Sequence, residues 1–223
     1  MSINVAIDGP AGAGKSTIAR NLAQNLGYIY VDTGAMYRAM TLYMLEHHID
    51  TEDEKAVADA CPDIEIKISY EKGEQCVYLN GVNVNGRIRT EEVSRMTSRV
   101  SALPVVREKL LDLQRSLAAS ENVIMDGRDI GTNVLPGADV KIYLTASSLV
   151  RAQRRYKEQQ ERGIDCRLDE IEKDIIERDQ RDMNRAAAPL RKAEDAILVD
   201  TSDMNIEQVT MTLKKLILEK VGR

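Results

Sequence analysis

Eight residues near the amino terminus, Gly9-Pro-Ala-Gly-Ala-Gly-Lys-Ser16, narrow the possible folds more than any other part of the chain. The apolar run Ile3–Ile7 precedes them, and Ile18, Leu22 and Leu26 follow at helical spacing. This order predicts a strand, a loop and a helix. In that setting the pattern Gly-x-x-x-x-Gly-Lys-Ser/Thr binds nucleotide phosphates, because backbone N–H groups and the positive end of the helix converge on phosphate oxygens. We therefore predict a nucleoside triphosphate site of the P-loop type.

The side chains of this loop have separate expected roles. Lys15 is predicted to reach the β and γ phosphates as a catalytic point charge, and the Ser16 hydroxyl is predicted to bind Mg²⁺. The alternative is a glycine-rich turn that matches the pattern by chance, but the flanking strand and helix favour the functional interpretation. The residues predicted to bind ATP are Gly9, Pro10, Ala11, Gly12, Ala13, Gly14, Lys15, Ser16 and Thr17.

Motors, GTP switches, transporter ATPases and kinases share such a loop, so it does not define the reaction. A GTP switch of the Ras type would need Asn-Lys-x-Asp to recognise guanine, but no Asn in this chain is followed by Lys. A transporter ATPase would be expected to contain Leu-Ser-Gly-Gly-Gln, which the sequence lacks. Phosphoryl transfer to a small molecule remains as the prediction.

Four more short apolar runs alternate with helical sequence along the chain. They are Tyr28–Val31, Val123–Met125, Val140–Leu144 and Ala196–Val199. Strands separated by helices predict an α/β fold, with a five-stranded parallel sheet covered on both faces. Residues 64–84 break this rhythm, because apolar and polar residues alternate there around Lys-Gly and Asn-Gly turn signals. We predict a small antiparallel insertion there.

Composition limits the class of protein and its partners. With 223 residues the chain fits one unit, and its net charge of −5 argues against nonspecific nucleic-acid binding. Three widely spaced cysteines indicate free thiols rather than disulfides or zinc ligands. The amino terminus lacks the pattern of a leader or an anchor, so we expect a cytoplasmic protein without membrane contact. Adjacent His47 and His48 are interpreted as an exposed helix end rather than a metal site.

Two strand ends carry the features of a second anion site. Asp32-Thr33-Gly34 leads into a helix with Tyr37 and Arg38, and Asp126-Gly127-Arg128-Asp129 follows the third strand. Ligands of open α/β sheets bind at such carboxyl ends. The alternatives are a helix cap at residues 32–33 and a surface ion pair between Arg128 and Asp129. Asp126 is also a candidate to orient water bound to Mg²⁺.

The charged segment 151–192 contains a helix face that changes character. Ile171 and Ile175 begin the face, and Arg178, Asp182 and Arg185 continue it at steps of three and four. One interpretation is a solvated face with an Arg178–Asp182 pair. The other is a mobile, arginine-bearing lid that stabilises the charge of phosphoryl transfer once water is excluded.

At this point the sequence resembles the bacterial cytidylate kinases, within the nucleoside-monophosphate kinases, over essentially its whole length. The matching segments after the shared loop are Asp32-Thr-Gly-Ala-Met-Tyr-Arg38, Asn80-Gly81, Ile88-Arg-Thr-Glu-Glu-Val93, Val106-Arg107-Glu108, Asp126-Gly-Arg-Asp-Ile-Gly-Thr132, Glu177-Arg-Asp-Gln-Arg-Asp182, Asn184-Arg185 and Ala188-Pro189-Leu190.

The resemblance implies one P-loop kinase unit, residues 1–223, with sheet order 2-3-1-4-5. Within it, residues 33–103 would form a monophosphate-binding part with the β insertion at about 62–88, and a helical lid would span about 151–189. It also implies the activity, which is transfer of the γ-phosphoryl group of ATP, with Mg²⁺, to CMP or dCMP in pyrimidine metabolism.

The resemblance further assigns roles to individual residues. Ser98, Arg107 and Asp129 match positions that recognise the cytosine edge, and Arg38 and Arg128 match positions that bind the acceptor phosphate. Asp182, with Arg178 and Arg185, matches positions near the sugar and the phosphate. The residues predicted to bind CMP are Thr33, Tyr37, Arg38, Ser98, Arg107, Arg128, Asp129, Arg178, Asp182 and Arg185, of which Arg128, Arg178 and Arg185 are also predicted to be catalytic.

Two rival functions remain open from the sequence. One is a P-loop kinase for UMP, AMP or a hydroxyl compound, and a hydroxyl acceptor would call for an Asp acting as base. The other is a noncatalytic nucleotide-binding module. We also expect a monomer, because no exposed apolar stripe is left without an assigned partner.

Overall fold

The computed structural model describes residues 2–222 and contains two sheets and eight α-helices within that range. In chain order the strands are β1 (Asn4–Asp8), β2 (Ile29–Asp32), β3 (Ile66–Glu71), β4 (Glu74–Leu79), β5 (Val82–Asn83), β6 (Val123–Gly127), β7 (Val140–Thr145) and β8 (Ile197–Asp200). The α-helices are α1 (Lys15–Leu26), α2 (Thr33–Glu46), α3 (Glu54–Ala60), α4 (Glu91–Val100), α5 (Pro104–Ser120), α6 (Ser148–Glu161), α7 (Leu168–Asn184) and α8 (Ile206–Lys220).

The main sheet has five parallel strands in the order β2-β6-β1-β7-β8. Counted along the chain within this sheet, the order is 2-3-1-4-5, which confirms the predicted topology. Each observed strand extends one or two residues beyond the apolar run that predicted it, so that Asp8, Asp32 and Asp126 belong to strands. This places three carboxylates at the same edge of the sheet.

Alternate residues of the central strands pack on opposite faces, as a strand requires. Val5 and Ile7 of β1 join a core with α1 and α8, whereas Ala6 joins the core with α2 and α5. The sheet is therefore covered on both faces, as predicted. Ile206 begins α8 with an exposed side chain, whereas Val209, Leu213 and Ile217 of the same helix are buried.

The insertion is a three-stranded antiparallel sheet in the order β3-β4-β5. Lys72-Gly73 and Asn80-Gly81 turn between its strands with φ values of 53°, 81°, 47° and 82°. Positive φ at both central residues matches the twist of a tight hairpin, which explains the Asn-Gly signal. The alternation predicted a strand from Ile64, but Ile64 ends a 3₁₀ turn and β3 begins at Ile66.

Helices α6 and α7 pack against each other over a small separate core that includes Ala152, Ile171 and Ile175. The apolar start of the α7 face is thus buried against α6. Three free cysteines, Cys61, Cys76 and Cys166, are buried or partly buried within the described chain. This agrees with the prediction of unpaired thiols.

Candidate active site

The loop between β1 and α1 has a backbone that depends on glycine. Gly9, Gly12 and Gly14 have φ values of 151°, 74° and 83°. A Cβ atom at Gly9 would lie 1.9 Å from the backbone oxygen of Leu144, so β7 passes too close for any side chain. Gly14 is the N-cap of α1 and itself carries no side chain. These positions leave the loop backbone and the amino-terminal end of α1 facing a shared cleft.

Lys15 follows this loop as the first residue of α1, and it is buried. Its Nζ donates to the carbonyl oxygen of Pro10 at 2.7 Å. Burial, and then the nearby positive charge of Arg128, hold the pKa of Lys15 well below its usual range. An anion in the cleft would relieve both effects, because it would pair with the ammonium group.

Ser16 and Asp126 form the oxygen pair expected for a divalent cation. The Ser16 hydroxyl donates to Asp126 Oδ2 at 2.9 Å, and the Tyr30 hydroxyl donates to Asp126 Oδ1 at the same distance. Burial and the neighbouring Asp32 raise the pKa of the Asp126 carboxyl. Hydroxyl and carboxylate oxygens are ligands that Mg²⁺ prefers, so these residues fit the ion that accompanies a triphosphate.

Asp8, at the end of β1, connects the loop strand to the next part of the site. Its two carboxylate oxygens accept from the backbone N–H groups of Ile130 and Gly131, each at 2.7 Å. These amides belong to a π-helical turn, Ile130–Val134, that follows Arg128 and Asp129. Burial raises the pKa of Asp8 to about 6, against the opposing effect of these hydrogen bonds. Asp8 thereby fixes the segment that carries Arg128 and Asp129.

Asp32 holds two arginines at one side of the cleft. It caps α2 by accepting from the Ala35 amide at 2.8 Å, and it also pairs with Arg38 at 2.9 Å and with Arg89 at 2.8 Å. The capping interpretation is therefore right and the functional one is compatible with it. Burial opposes the charged form, but the two arginines lower the pKa of Asp32. The Arg38 Nε is buried without a hydrogen-bond partner among residues 2–222.

Asp129 holds another pair of arginines. Arg107 of α5 pairs with Asp129 Oδ2, and Arg185 pairs with Asp129 Oδ1 at 3.1 Å. The side chains of all three residues are at most 7% exposed. The Arg107 guanidinium also lies 5.5 Å from the ring centroid of Tyr37. A buried wall of this kind has fixed donors and acceptors, which suits recognition of a planar polar edge.

The alternative of a surface ion pair between Arg128 and Asp129 is wrong, because the two side chains pair with different partners. Arg128 Nε instead donates to Asp182 Oδ2 at 2.9 Å. The Ser98 hydroxyl reaches the other oxygen of Asp182 at 3.4 Å. Burial opposes the charged form, but Arg128 and then Arg178 lower the pKa of Asp182.

Arg178 stands apart from these pairs. No ion pair between Arg178 and Asp182 occurs in the described chain, so the helix-surface alternative is wrong. Burial, and then repulsion from Arg128, lower the pKa of Arg178 to about 10. Its Nε is buried without a hydrogen-bond partner among residues 2–222. The cleft thus contains more positive charge than its own carboxylates satisfy.

One cleft of about 950 Å³ brings most of the predicted residues together. Among the predicted residues, Gly9, Pro10 and Ser98 do not line it, although Ser98 reaches it through Asp182. Those that line it are Ala11, Gly12, Ala13, Gly14, Lys15, Ser16, Thr17, Thr33, Tyr37, Arg38, Arg107, Arg128, Asp129, Arg178, Asp182 and Arg185.

Sequence reasoning missed several side chains that build this site. Tyr30 orients Asp126, Arg89 pairs with Asp32, and Asp8 binds the turn after Asp129. Asp8 ends a predicted strand beside the loop, and this position was a usable signal. Arg151 and Asp179 contact the loop from α6 and α7, but they sit among many charged residues and had no distinguishing signal.

Comparison with known proteins agrees with this arrangement. The family profile described as Cytidylate kinase matches residues 5–219. The chain belongs to the cytidylate kinase family. The cytidylate kinase of Lactobacillus gasseri is 52% identical over 218 residues, covering 98% of this chain and 95% of the relative. The cytidylate kinase of Halalkalibacterium halodurans is 48% identical over 219 residues, covering 98% of this chain and 99% of the relative.

A solved structure supports the fold but adds nothing on substrate. An uncharacterized protein from Eubacterium ventriosum superposes with a TM-score of 0.53 at 12% identity, covering 97% of this chain and 98% of that one. Within residues 2–222, no helix combines the length and apolar character needed to cross a bilayer. No group of three or more His, Cys, Asp or Glu side chains in the same range is placed to hold a metal ion. Because this solved structure shares only 12% identity, membership of the cytidylate kinase family rests on the sequence comparisons.

Proposed function

We propose that the protein transfers the γ-phosphoryl group of ATP to CMP or dCMP, giving ADP and CDP or dCDP. The observation that carries this proposal is a single cleft with a phosphate-binding loop on one side and Arg38, Arg128, Arg178 and Arg185 on the other. Family membership supports the acceptor, because the relatives are named cytidylate kinases. A noncatalytic nucleotide-binding module would have no need of the second set of cations.

The donor side would bind ATP through the loop from residue 9 to residue 17. Backbone N–H groups and the amino-terminal end of α1 would surround the phosphates, and Lys15 would exchange the Pro10 oxygen for the β and γ phosphates. This exchange explains why a buried ammonium group lines the proposed anion site. Lys15 would thus act as a catalytic residue.

The same side would hold Mg²⁺ through the Ser16 hydroxyl, with Asp126 orienting bound water. Mg²⁺ held by these residues would supply positive charge that offsets the negative charge of the triphosphate. The Tyr30 hydroxyl would keep Asp126 facing Ser16, since it holds the other carboxylate oxygen. A cation here would also favour the charged form of Asp126, which burial otherwise disfavours.

The acceptor side would bind the monophosphate between arginines. Arg38 and Arg178 have buried Nε atoms without hydrogen-bond partners among residues 2–222. Arg128 lies close enough to Lys15 and to Arg178 to lower the pKa of both. A phosphate monoester is largely dianionic above its second pKa of about 6. It is therefore already a nucleophile, and the reaction needs no general base. The arginines would offset repulsion between the two anions and align them for in-line transfer.

The buried wall would recognise the nucleoside. Arg107 and Asp129, with Ser98, would contact the cytosine edge, where Asp129 can accept from an exocyclic amino group. Asp182 and Arg185 would lie near the sugar, and Tyr37 and Thr33 would line the remaining surface. Arg107 would hold the Asp129 carboxylate in place through their ion pair.

We also propose how the chain is divided into functional parts. Residues 33–103 would form the monophosphate-binding part, and residues 151–189 would close as a lid that excludes water.

We propose a monomer, because large exposed apolar side chains are scattered over five elements and the loop residue Ile164. Unpaired cysteines agree with the cytoplasmic location proposed for this enzyme.

A phosphorylation assay tests the proposal. The protein is supplied with ATP and Mg²⁺ and, in separate reactions, with CMP, dCMP, UMP, AMP and shikimate, and ADP is measured. We expect the highest kcat/KM with CMP or dCMP. A preference for another acceptor would contradict the proposal, and ATP binding without acceptor-dependent ADP release would favour the noncatalytic module.

A further inference from the structure

The outer side of the phosphate loop contacts two buried charged residues from the helical pair α6–α7. Arg151 lies in the first turn of α6, and Asp179 lies in α7, next to Arg178. They pair with each other at 2.6 Å, and the two side chains are only 7% and 8% exposed. An ion pair removed from water to this degree is costly unless further hydrogen bonds satisfy it.

Arg151 Nε donates to the carbonyl oxygen of Ala146 at 2.9 Å, and two more bonds go to one loop residue, Ala11. Its N–H donates to Asp179 Oδ1 at 3.0 Å, and its carbonyl oxygen accepts from Arg151 Nη1 at 2.7 Å. The approach is also close sterically, because a Cβ atom at Gly12 would lie 3.3 Å from the Arg151 Cβ. The helical pair therefore holds the outer turn of the loop by both polar groups of a single residue.

The peptide between Pro10 and Ala11 connects this contact to the donor site. The Ala11 N–H of this peptide binds Asp179, while the Pro10 oxygen of the same peptide accepts from Lys15 Nζ. The orientation of this one planar group therefore links Asp179, which is not part of the cleft lining, to the Lys15 ammonium, which lines the cleft. On α7, Arg178 immediately precedes Asp179 and lines the cleft.

We infer that Arg151 and Asp179 are positioning residues for the donor phosphates. They fix the Pro10–Ala11 peptide, set the place of the Lys15 ammonium, and hold the phosphate loop in register with the helix that carries Arg178 and Asp182. The inference rests on the proposed kinase function. A residue that acts in this way changes the use of ATP more than the binding of CMP.

The experiment compares three variants with the native protein. Asp179→Asn keeps the side-chain shape but loses the charge that pairs with Arg151. The double variant Arg151→Met, Asp179→Leu replaces the pair with apolar side chains of similar size, a change that usually preserves stability. Asp174→Asn is the matched control, because it makes the same chemical change at an exposed position of α7. Steady-state kinetics, equilibrium binding of CMP without ATP and thermal unfolding are measured for each.

We expect KM for ATP to rise about tenfold in Asp179→Asn and in the double variant, the effect of losing roughly one buried charge-assisted hydrogen bond. The dissociation constant for CMP should stay within about twofold of native, since no CMP contact is removed. Asp174→Asn should match the native protein in every measurement. A folded double variant with a native KM for ATP would overturn the inference, as would equal losses in ATP and CMP binding.

Two further outcomes are also decisive. If the double variant does not fold, Asp179→Asn decides alone, and a native KM for ATP in that variant overturns the inference. If the native protein binds ATP but does not phosphorylate CMP, the proposed function fails. In that case equilibrium binding of ATP to Asp179→Asn replaces KM as the measurement, and unchanged affinity overturns the inference separately.

Discussion

The donor and acceptor sides of the cleft are built in different ways. The part of the donor side proposed to bind the phosphates is one continuous segment, residues 9–17, and works mainly through backbone groups whose positions depend on glycine. The acceptor side is assembled from charged side chains of α2, α5 and α7 and of the segments after β6 and α7. A site made of backbone groups requires particular residues at consecutive positions, so it can be recognised in a short stretch of sequence. A site made of side chains from distant segments can be recognised only once the fold is known.

The largest expected effect comes from a substitution that disrupts the acceptor side alone. Arg128→Ala removes a cation that lines the cleft near Lys15 and Arg178, so we expect kcat/KM for CMP to fall about a thousandfold. Circular dichroism should show a retained fold. Arg191→Ala, which changes an exposed arginine, serves as the control and should keep native kinetics. Near-normal turnover in Arg128→Ala would remove the role that we assign to Arg128.

The next effect breaks the donor side through its backbone. In Gly9→Ala the added methyl group meets the Leu144 carbonyl of β7, and the φ value of 151° is one that alanine rarely adopts. We expect the free energy of unfolding to fall by about 3 kcal/mol, together with a loss of ATP binding. Gly137→Ala is the control, since a Cβ atom there meets no atom within 4 Å. Equal denaturation midpoints for the two variants would show that this close approach is not a constraint.

Asp8 joins the two sides, and its titration gives a pH-dependent test. Its pKa is raised from 3.8 to about 6, so between these values the folded protein binds more protons than the unfolded chain. The free energy of unfolding should therefore decrease as pH rises through this window, by at most about 3 kcal/mol from this group. Denaturant unfolding between pH 4 and pH 7 measures the slope. Asp8→Asn should lose this contribution, and an unchanged slope in that variant would assign the titration to other groups.

The smallest expected effect comes from a substitution that changes the substrate preference of the acceptor side without abolishing activity. Asp129→Asn should lower the ratio of kcat/KM for CMP over UMP about tenfold, because a charged acceptor for the cytosine amino group is lost. KM for ATP should remain close to native, since the loop is untouched. The matched control is Asp112→Asn, an exposed position on α5. An unaltered CMP preference in Asp129→Asn would exclude Asp129 from base recognition.

The contrast between the two sides also explains what the sequence could predict. Apolar periodicity was sufficient for the sheet and its covering helices, because each strand run and helix stripe is a local pattern. The hairpin turns were predictable for the same reason, since Lys-Gly and Asn-Gly report local backbone conformation. The resemblance supplied the sheet order, which the structure confirms.

Pairing between distant side chains was not predictable from local patterns. Arg128 and Asp129 are neighbours in sequence, yet they pair with residues more than 20 positions away. Arg151 is one of many arginines on α6 and α7, and only the fold brings it against Ala11. Spacing along a helix specifies a face, but the partner of that face depends on packing between elements.

The central claim is that the two sides form one site for two nucleotides, and a bisubstrate ligand tests it most directly. Adenosine and cytidine joined through a five-phosphate chain should bind with one-to-one stoichiometry in calorimetry. It should bind more tightly than either ATP or CMP and compete with both, because the second contact becomes intramolecular. Competition with ATP alone, or affinity no greater than that of ATP, would contradict a shared cleft.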